Sequence, residues 1–303
     1  MSNVNVCVAC DDNYSKYAGV VIASILSNSA KSTNLSFYIL DGGITEEHKK
    51  EILSLKNIKD CSINFVKIND EDFNEYQKVC THKYITIATY YRLKLPSLLP
   101  NVSRVIYLDC DTVVNRDLTE LFETHLTKEV FAGCNDVDPN EVKINPTYVN
   151  AGVLVIDLDN MREQDLEEKF LKYTQENFET IKCGDQTIIN EVCKGNIKIV
   201  DSSWNVQTSD FMNRSDLTRN PKIIHYIAKN KPWKDISLCY FKNYYIKYLQ
   251  LTPWRTNKAE EFKYRYINQI LSLFKFIIHR PTFLFQRKFY EAVLRTYIVS
   301  TYK

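Results

Sequence analysis

Arg-Val-Ile-Tyr-Leu-Asp-Cys-Asp-Thr-Val-Val-Asn, residues 104–115, reads as a buried strand that runs straight into two aspartates. Val105 to Leu108 is an unbroken β-branched and aromatic run, as suits a strand covered on both faces. Asp109 and Asp111 follow at a spacing of two. On an extended backbone such residues point the same way, so their carboxylates converge. Two like charges that close repel unless a cation separates them. Carboxylate oxygens suit a hard divalent ion such as Mg²⁺ or Mn²⁺, which keeps positions open for phosphate oxygens. The pattern therefore suggests a metal gripping a diphosphate. A strand end followed by an Asx-turn and a helix cap has the same local look, so the rest of the chain must decide.

Upstream, Asn3–Ala9, Leu35–Leu40 and Ser62–Ile68 read as strands. Between the first two, Ala18, Val21, Ile22, Ile25 and Leu26 recur at helical spacing. Thr45 is placed to cap the helix after the second strand. Downstream come a short helix (Leu118–Glu123) and strands at Val130–Cys134 and Val153–Leu158. A long helix over Met161–Phe178, a helix over Thr187–Val192, and strands at Ile197–Val200 and Lys222–Ile227 complete the body. Strands alternating with helices predict an α/β fold with a mostly parallel sheet, whose ligands sit at the carboxyl ends of strands.

The chain has 303 residues, enough for a large α/β domain and an appendage. It has seven glycines, no G-x-G-x-x-G after the first strand and no G-x-x-x-x-G-K-[ST]. Dinucleotide enzymes and P-loop phosphotransferases are thereby disfavoured, and any nucleotide must be held by side chains and a metal. The nine cysteines are odd in number and scattered, as expected of free, mostly buried thiols. Cys7 and Cys10 match C-x-x-C, but a separation of three on a strand puts them on opposite faces. The start, Met1–Ala9, lacks a basic region and meets Asp11 and Asp12 at once, unlike a secretory signal. No apolar run is long enough for a transmembrane helix. The expectation is a cytoplasmic protein.

The net charge of +2 hides an asymmetry: residues 255–303 hold ten Lys/Arg against three Glu. A nucleic-acid enzyme is usually basic over its body, so no nucleic-acid partner is expected. Within the tail, Ile270–Ile278 and Phe283–Val299 mix aromatic and aliphatic residues with Lys275, Arg280, Arg287, Lys288 and Arg295. Basic amphipathic helices of this kind suit an anionic membrane surface, and a helical hairpin packed on the body is the alternative.

Several residues could carry chemistry. Asp11 and Asn13 follow the first strand. Arg92 sits in Thr86–Leu95, a predicted helix ended near Pro96, where a surface ion pair is the plain reading and a planar fork for phosphate the sharper one. Asn150-Ala151-Gly152 offers an amide beside two small residues, either a ligand-approach site or a tight turn. Asp185 and Gln186 lie at a helix start, where Asp185 reads as a cap. His225 reads as a core histidine unless carboxylates await a nitrogen donor, and Lys231 could offer a point charge.

Together these pieces resemble glycosyltransferase family 8, particularly its bacterial members that add hexoses to lipopolysaccharide. The matching stretches are Ala-Cys-Asp-Asp-Asn-Tyr (9–14), Leu-Asp-Gly-Gly-Ile (40–44), Thr-Tyr-Tyr-Arg-Leu (89–93) and Leu-Asp-Cys-Asp-Thr (108–112). Asn-Ala-Gly-Val-Leu (150–154), Gly-Asp-Gln (184–186) and His-Tyr…Lys-Pro-Trp (225–233) follow in the family's order. The resemblance, nearest to α-galactosyltransferases, implies a GT-A catalytic domain over residues 1–250 and a membrane-association segment over 251–303. It implies a UDP-hexose donor (galactose, with glucose the alternative), Mn²⁺ or Mg²⁺, retention of anomeric configuration and a glycolipid or oligosaccharide acceptor. By position it makes Asp109, Asp111 and His225 metal ligands. Asp11 and Asn13 would face uracil and ribose, and Lys231 the diphosphate. Arg92, Asn150, Ala151, Asp185 and Gln186 would surround the donor sugar, the last two nearest the chemistry. Ala228 departs from the glycine common there in the family. The enzyme would then work peripherally on the cytoplasmic face of the inner membrane.

Overall fold

The computed structural model describes residues 3–78, 86–208, 220–227, 231–234, 239, 241–257, 281–285 and isolated positions between 260 and 290. Its strands are β1 (Asn3–Cys10), β2 (Asn34–Asp41), β3 (Ser62–Lys67), β4 (Arg104–Leu108), β5 (Thr112–Val114), β6 (Phe131–Asn135), β7 (Val149–Asp157), β8 (Ile197–Ile199), β9 (Val206–Gln207) and β10 (Ile223–His225). Seven of them form one sheet in the order β3-β2-β1-β4-β7-β6-β8, and β5-β10-β9 form a second. The strands β3, β2, β1 and β4 are parallel neighbours; β7 runs antiparallel to both β4 and β6, and β6 pairs parallel with β8. The expected mixed, mostly parallel sheet is therefore present.

Its two faces carry separate cores, and alternation along each strand decides which residue joins which. Val6, Val8, Cys10, Ile106, Leu108 and Val155 pack on one side; Cys7, Val105, Tyr107, Leu154 and Ile156 pack on the other. Cys7 and Cys10 thus lie on opposite faces, as their spacing predicts. Each fully buried Val, Leu or Ile contributes about 1.5–3 kcal/mol of transfer free energy. The helix Ser15–Asn28 covers the first face through Ala18, Val21, Ile22 and Ile25. Thr45 caps the helix Glu46–Ser54, accepting from the His48 N–H at 3.3 Å.

Three local readings change. The single helix expected over Met161–Phe178 is two, Leu158–Glu163 and Leu166–Asn177. Asp157 accepts from the Asn160 N–H and starts the first directly from the strand, while Asp165 adopts the left-handed conformation at φ 49° and breaks the run. Aspartate tolerates that conformation better than most residues. The segment expected as a helix over Thr86–Leu95 is a 3₁₀ turn, Ile87–Lys94, and Pro96 opens the next short helix, Leu95–Leu98, instead of closing the first. Proline fits a first helical turn, where its missing N–H costs nothing. Asn150-Ala151-Gly152 lies inside β7 at the point where the register with β6 shifts, and its Ala151 and Gly152 N–H groups bond the side chains of Gln186 and Asn150 instead of a neighbouring strand.

Past the body, Trp254 packs against Gly19, and Gln250 donates to Thr256 Oγ1 at 2.8 Å. The tail helices expected over Ile270–Ile278 and Phe283–Val299 fall largely outside the described residues. Among those that are described, no helix is long and apolar enough to cross a membrane.

Candidate functional site

Parallel pairing of β1 with β4 sets their carboxyl ends side by side, so Asp11 and Asp109 emerge at one edge. Beyond Asp109 the chain is not extended. The Thr112 N–H and Oγ1–H both bond the Asp109 carbonyl, at 3.2 and 2.9 Å, and fold Asp109-Cys110-Asp111 into a turn. The two carboxylates converge through that turn, which replaces the strand geometry read from their spacing. The chain then enters β5, whose antiparallel pairing with β10 sets His225 opposite Thr112. The Tyr226 N–H bonds the Asp111 carbonyl at 2.9 Å and locks that register.

The result is a triad. Ligand atoms of Asp109, Asp111 and His225 lie within 4.8 Å of one another. His225 Nε2 is 3.1 Å from Asp111 Oδ1 and 3.7 Å from Asp109 Oδ2. Asp111 Oδ1 is buried and makes no hydrogen bond. Burial opposes ionisation of Asp111, yet the Lys231 ammonium and His225 outweigh it and hold the carboxyl well below the usual range. Gly152 closes the floor, since a Cβ there would meet His225 Cε1 at 2.2 Å and Asp109 Oδ2 at 2.6 Å. Two carboxylates, one of them with an orphaned buried oxygen, and one imidazole nitrogen are donors that fit a divalent cation.

Arg92 is no surface residue: it is 3 % exposed and joins two acids. Its Nη2 lies 2.7 Å from Asp109 Oδ1 and its Nε 2.9 Å from Asp185 Oδ2, while Nη1 donates to the Ala151 carbonyl. The guanidinium also stacks 4.0 Å from the centre of the Tyr107 ring. Burial works against its charge, but Asp109 and Asp185 more than restore it. Asp185 does not cap its helix, Asp185–Val192; Gly184 occupies that position. Burial pushes the Asp185 carboxyl up to about 7, with Arg92 pulling the other way.

Gln186 Oε1 accepts from the Ala151 N–H at 3.1 Å and Asn150 Nδ2 at 3.2 Å. Lys231 Nζ contacts Asp111 Oδ2 and donates to the Tyr226 carbonyl at 2.6 Å. Two residues on, Trp233 stacks on Tyr17 with ring centres 3.9 Å apart, anchoring the segment to the first helix. Asp11 accepts from the Tyr14 N–H at 3.0 Å, and Asn13 is exposed beside it. Asp109, Asp111, His225, Arg92, Asp185, Ala151, Asn150, Gln186 and Lys231 thus form one connected cluster, with Asp11 and Asn13 at the end of the neighbouring strand. Ala228 lies outside the described residues. Sequence reading gave no role to Asp136, which accepts from Asn150 and Gln186, or to Asn205, which bonds Asn150 and His225.

The mostly parallel sheet with an acidic turn at the carboxyl end of β4 has the GT-A fold, as the solved structure described below shows. The chain belongs to glycosyl transferase family 8, whose family model matches residues 5–237. It is 32 % identical over 244 residues to a Haemophilus influenzae protein named only as a glycosyltransferase, covering 76 % of this chain and 73 % of that one. It is 28 % identical to a lipopolysaccharide 1,2-glucosyltransferase of Escherichia coli over 87 % of this chain and 84 % of that one. Among solved structures, the galactosyltransferase LgtC in complex with donor and acceptor sugar analogues superposes with a TM-score of 0.73. The match spans 86 % of this chain and all of LgtC, at 24 % identity.

Proposed function

We propose that this glycosyltransferase moves a hexose from a UDP-hexose to a saccharide of a lipopolysaccharide or similar cell-surface glycan, with retention and with a divalent metal, Mn²⁺ first and Mg²⁺ second. The observation that carries the reading is the triad of Asp109, Asp111 and His225 beside Lys231 and the Arg92–Asp185 pair. Galactose and glucose are the two donors to test: the name of the Escherichia coli relative supports glucose, and the family likeness read from the sequence supports galactose.

In this reading Asp109, Asp111 and His225 hold the cation, which when bound supplies Lewis-acid neutralisation of the departing diphosphate. No general acid is then required at the leaving oxygen, unlike in glycosidases. Lys231 offers its ammonium to the diphosphate, and Asp11 and Asn13 face the nucleoside. Arg92 keeps Asp185 in place, and Asp185, Gln186 and Asn150 surround the sugar. Retention requires either a nucleophile under the anomeric carbon or attack from the face the leaving group vacates. Gln186 is an amide whose oxygen already accepts two hydrogen bonds, and Asp185 Oδ2 faces Arg92. The front-face route is therefore preferred. The bond from the anomeric carbon to the UDP oxygen breaks, the acceptor oxygen bonds that carbon on the same face, and its proton passes to the departing phosphate.

The tail supports an anionic membrane surface as the place of work. Leu271, Phe274, Ile278 and Phe285 are exposed within a segment of net positive charge. The test is UDP release with UDP-galactose or UDP-glucose, with Mn²⁺ or EDTA, with lactose as acceptor, and in parallel sedimentation with anionic vesicles. Turnover abolished by EDTA, with a product whose NMR couplings report retention, is expected. Turnover untouched by EDTA or an inverted product would refute the reading, as would a glycosyl adduct trapped on Gln186 or Asp185 for the front-face route.

A further inference from the structure

The amides beneath the acidic turn form a chain whose direction follows from groups that cannot be turned round. A carboxamide's oxygen and nitrogen differ little in shape, so its partners decide its orientation. Two backbone N–H groups of β7 are unambiguous donors: Gly152 donates to Asn150 Oδ1 and Ala151 to Gln186 Oε1, both at 3.1 Å. Asn150 Nδ2 and Gln186 Nε2 then turn to Asp136 Oδ2, at 3.1 and 3.2 Å, where both amides donate.

With Asn150 Oδ1 fixed as an acceptor, the Asn205 atom 3.1 Å away must be its donor, Nδ2. Asn205 therefore presents Oδ1 to His225 Nδ1, at 3.1 Å. An amide oxygen there requires the hydrogen on Nδ1. The nitrogen left for a cation is Nε2, which faces the orphaned Asp111 Oδ1. Asn205 is held for this task. It is 3 % exposed and ends a 3₁₀ turn, Ser202–Asn205, that Asp201 caps through the Ser203 N–H at 3.0 Å. The next residue, Val206, begins β9, which pairs with β10 and so with His225's own strand.

We infer that Asn205 is a positioning residue that keeps the hydrogen of His225 on Nδ1 and Nε2 turned to a divalent cation, its own direction set by Asn150 and the Gly152 N–H. The inference rests on the metal reading above. Partners of this kind, hydrogen-bonded to a metal-binding imidazole, fix its tautomer and typically change metal affinity about 10–100-fold when removed.

The experiment pairs Mn²⁺ titration, followed by electron paramagnetic resonance of the free ion, with ¹⁵N NMR of His225 in the metal-free full chain. Wild type is expected to bind Mn²⁺ and to carry its hydrogen on Nδ1. N205L is expected to bind Mn²⁺ about 10–100-fold more weakly with its thermal transition retained. N205D keeps an oxygen for the Nδ1 hydrogen but loses the donor to Asn150 Oδ1, so it should lie between wild type and N205L. Wild-type affinity in N205L would overturn the inference. Should both variants misfold, wild type decides: a bare Nδ1 in a chain that binds Mn²⁺ refutes the relay alone. No Mn²⁺ binding despite an Nδ1 hydrogen refutes the metal reading and, with it, the purpose of the relay.

Discussion

Replacing Gly152 by alanine tests the site at its tightest point. The Gly152 carbonyl accepts from the Asp109 N–H at 2.9 Å, so the backbone there is tied to the acidic turn. The added Cβ would stand 2.2 Å from His225 Cε1, 2.6 Å from Asp109 Oδ2 and 2.9 Å from His225 Nδ1. Carbon atoms settle at about 3.5–4.0 Å, so the imidazole must retreat by more than about 1 Å. Metal–ligand distances tolerate about 0.2 Å, so a shift of that size removes His225 from the triad. The ring cannot swing into solvent, because it is 3 % exposed and tied to Asn205. Overpacking of this kind costs about 1–3 kcal/mol. The expected outcome is Mn²⁺ affinity reduced by at least about tenfold, together with a Tm lower by several degrees. Gly195→Ala is the control: its φ of 76° makes alanine strained, at about 1–2 kcal/mol, but nothing lies within 4 Å of the new Cβ. That variant should lose stability and keep its Mn²⁺ affinity. A Gly152→Ala protein with wild-type Mn²⁺ binding and wild-type Tm would refute the reasoning.

Arg92→Met leaves two acids without their shared cation, one of them, Asp185, 4 % exposed. Breaking a buried pair from one side costs about 3–5 kcal/mol, and adding Asp185→Leu should recover part of it; a loss below about 1 kcal/mol in urea unfolding would count against the bridge. Asp41 accepts from the Gly43 and Ile44 N–H groups at 2.9 and 2.6 Å and faces Lys49 Nζ at 2.8 Å. Burial raises its pKa, but these partners win and hold it below the ordinary value. Its stabilising contribution is therefore complete above the unfolded pKa of about 3.9 and is lost as pH falls through the folded value. Asp41→Asn should flatten that acid limb, and parallel stability curves for the two proteins over about pH 3–7 would contradict the assignment.

Much of the frame was readable because it is local. The period of two on a strand put Cys7 and Cys10 on opposite faces before any coordinates. Helical spacing found the first helix, and a threonine in the right place found the second cap. Where local rules competed, reading failed. Asp165, a left-handed residue, broke the long helix expected over Met161–Phe178, and Asp157 capped a helix that begins ahead of Met161. Pro96 looked like a terminator yet opened a helix, since proline suits either role. Asn150-Ala151-Gly152 read either as a ligand-approach site or as a tight turn; its place inside β7, with N–H groups bonded by Gln186 and Asn150, depends on partners that local reading cannot supply.

The chain by itself determined the alternation of strands and helices, the acidic pair after β4 and the residue types available for a cation and a diphosphate. These follow from side-chain period and from the chemistry of carboxylate, imidazole and ammonium. Tertiary structure decided which of them meet. The turn at Asp109–Asp111, the pairing of β10 with β5, and the buried bridge from Arg92 to Asp185 each join segments far apart in sequence. Local pattern carries no record of such meetings, because they are selected by strand register across two sheets and by the need of buried charges for partners.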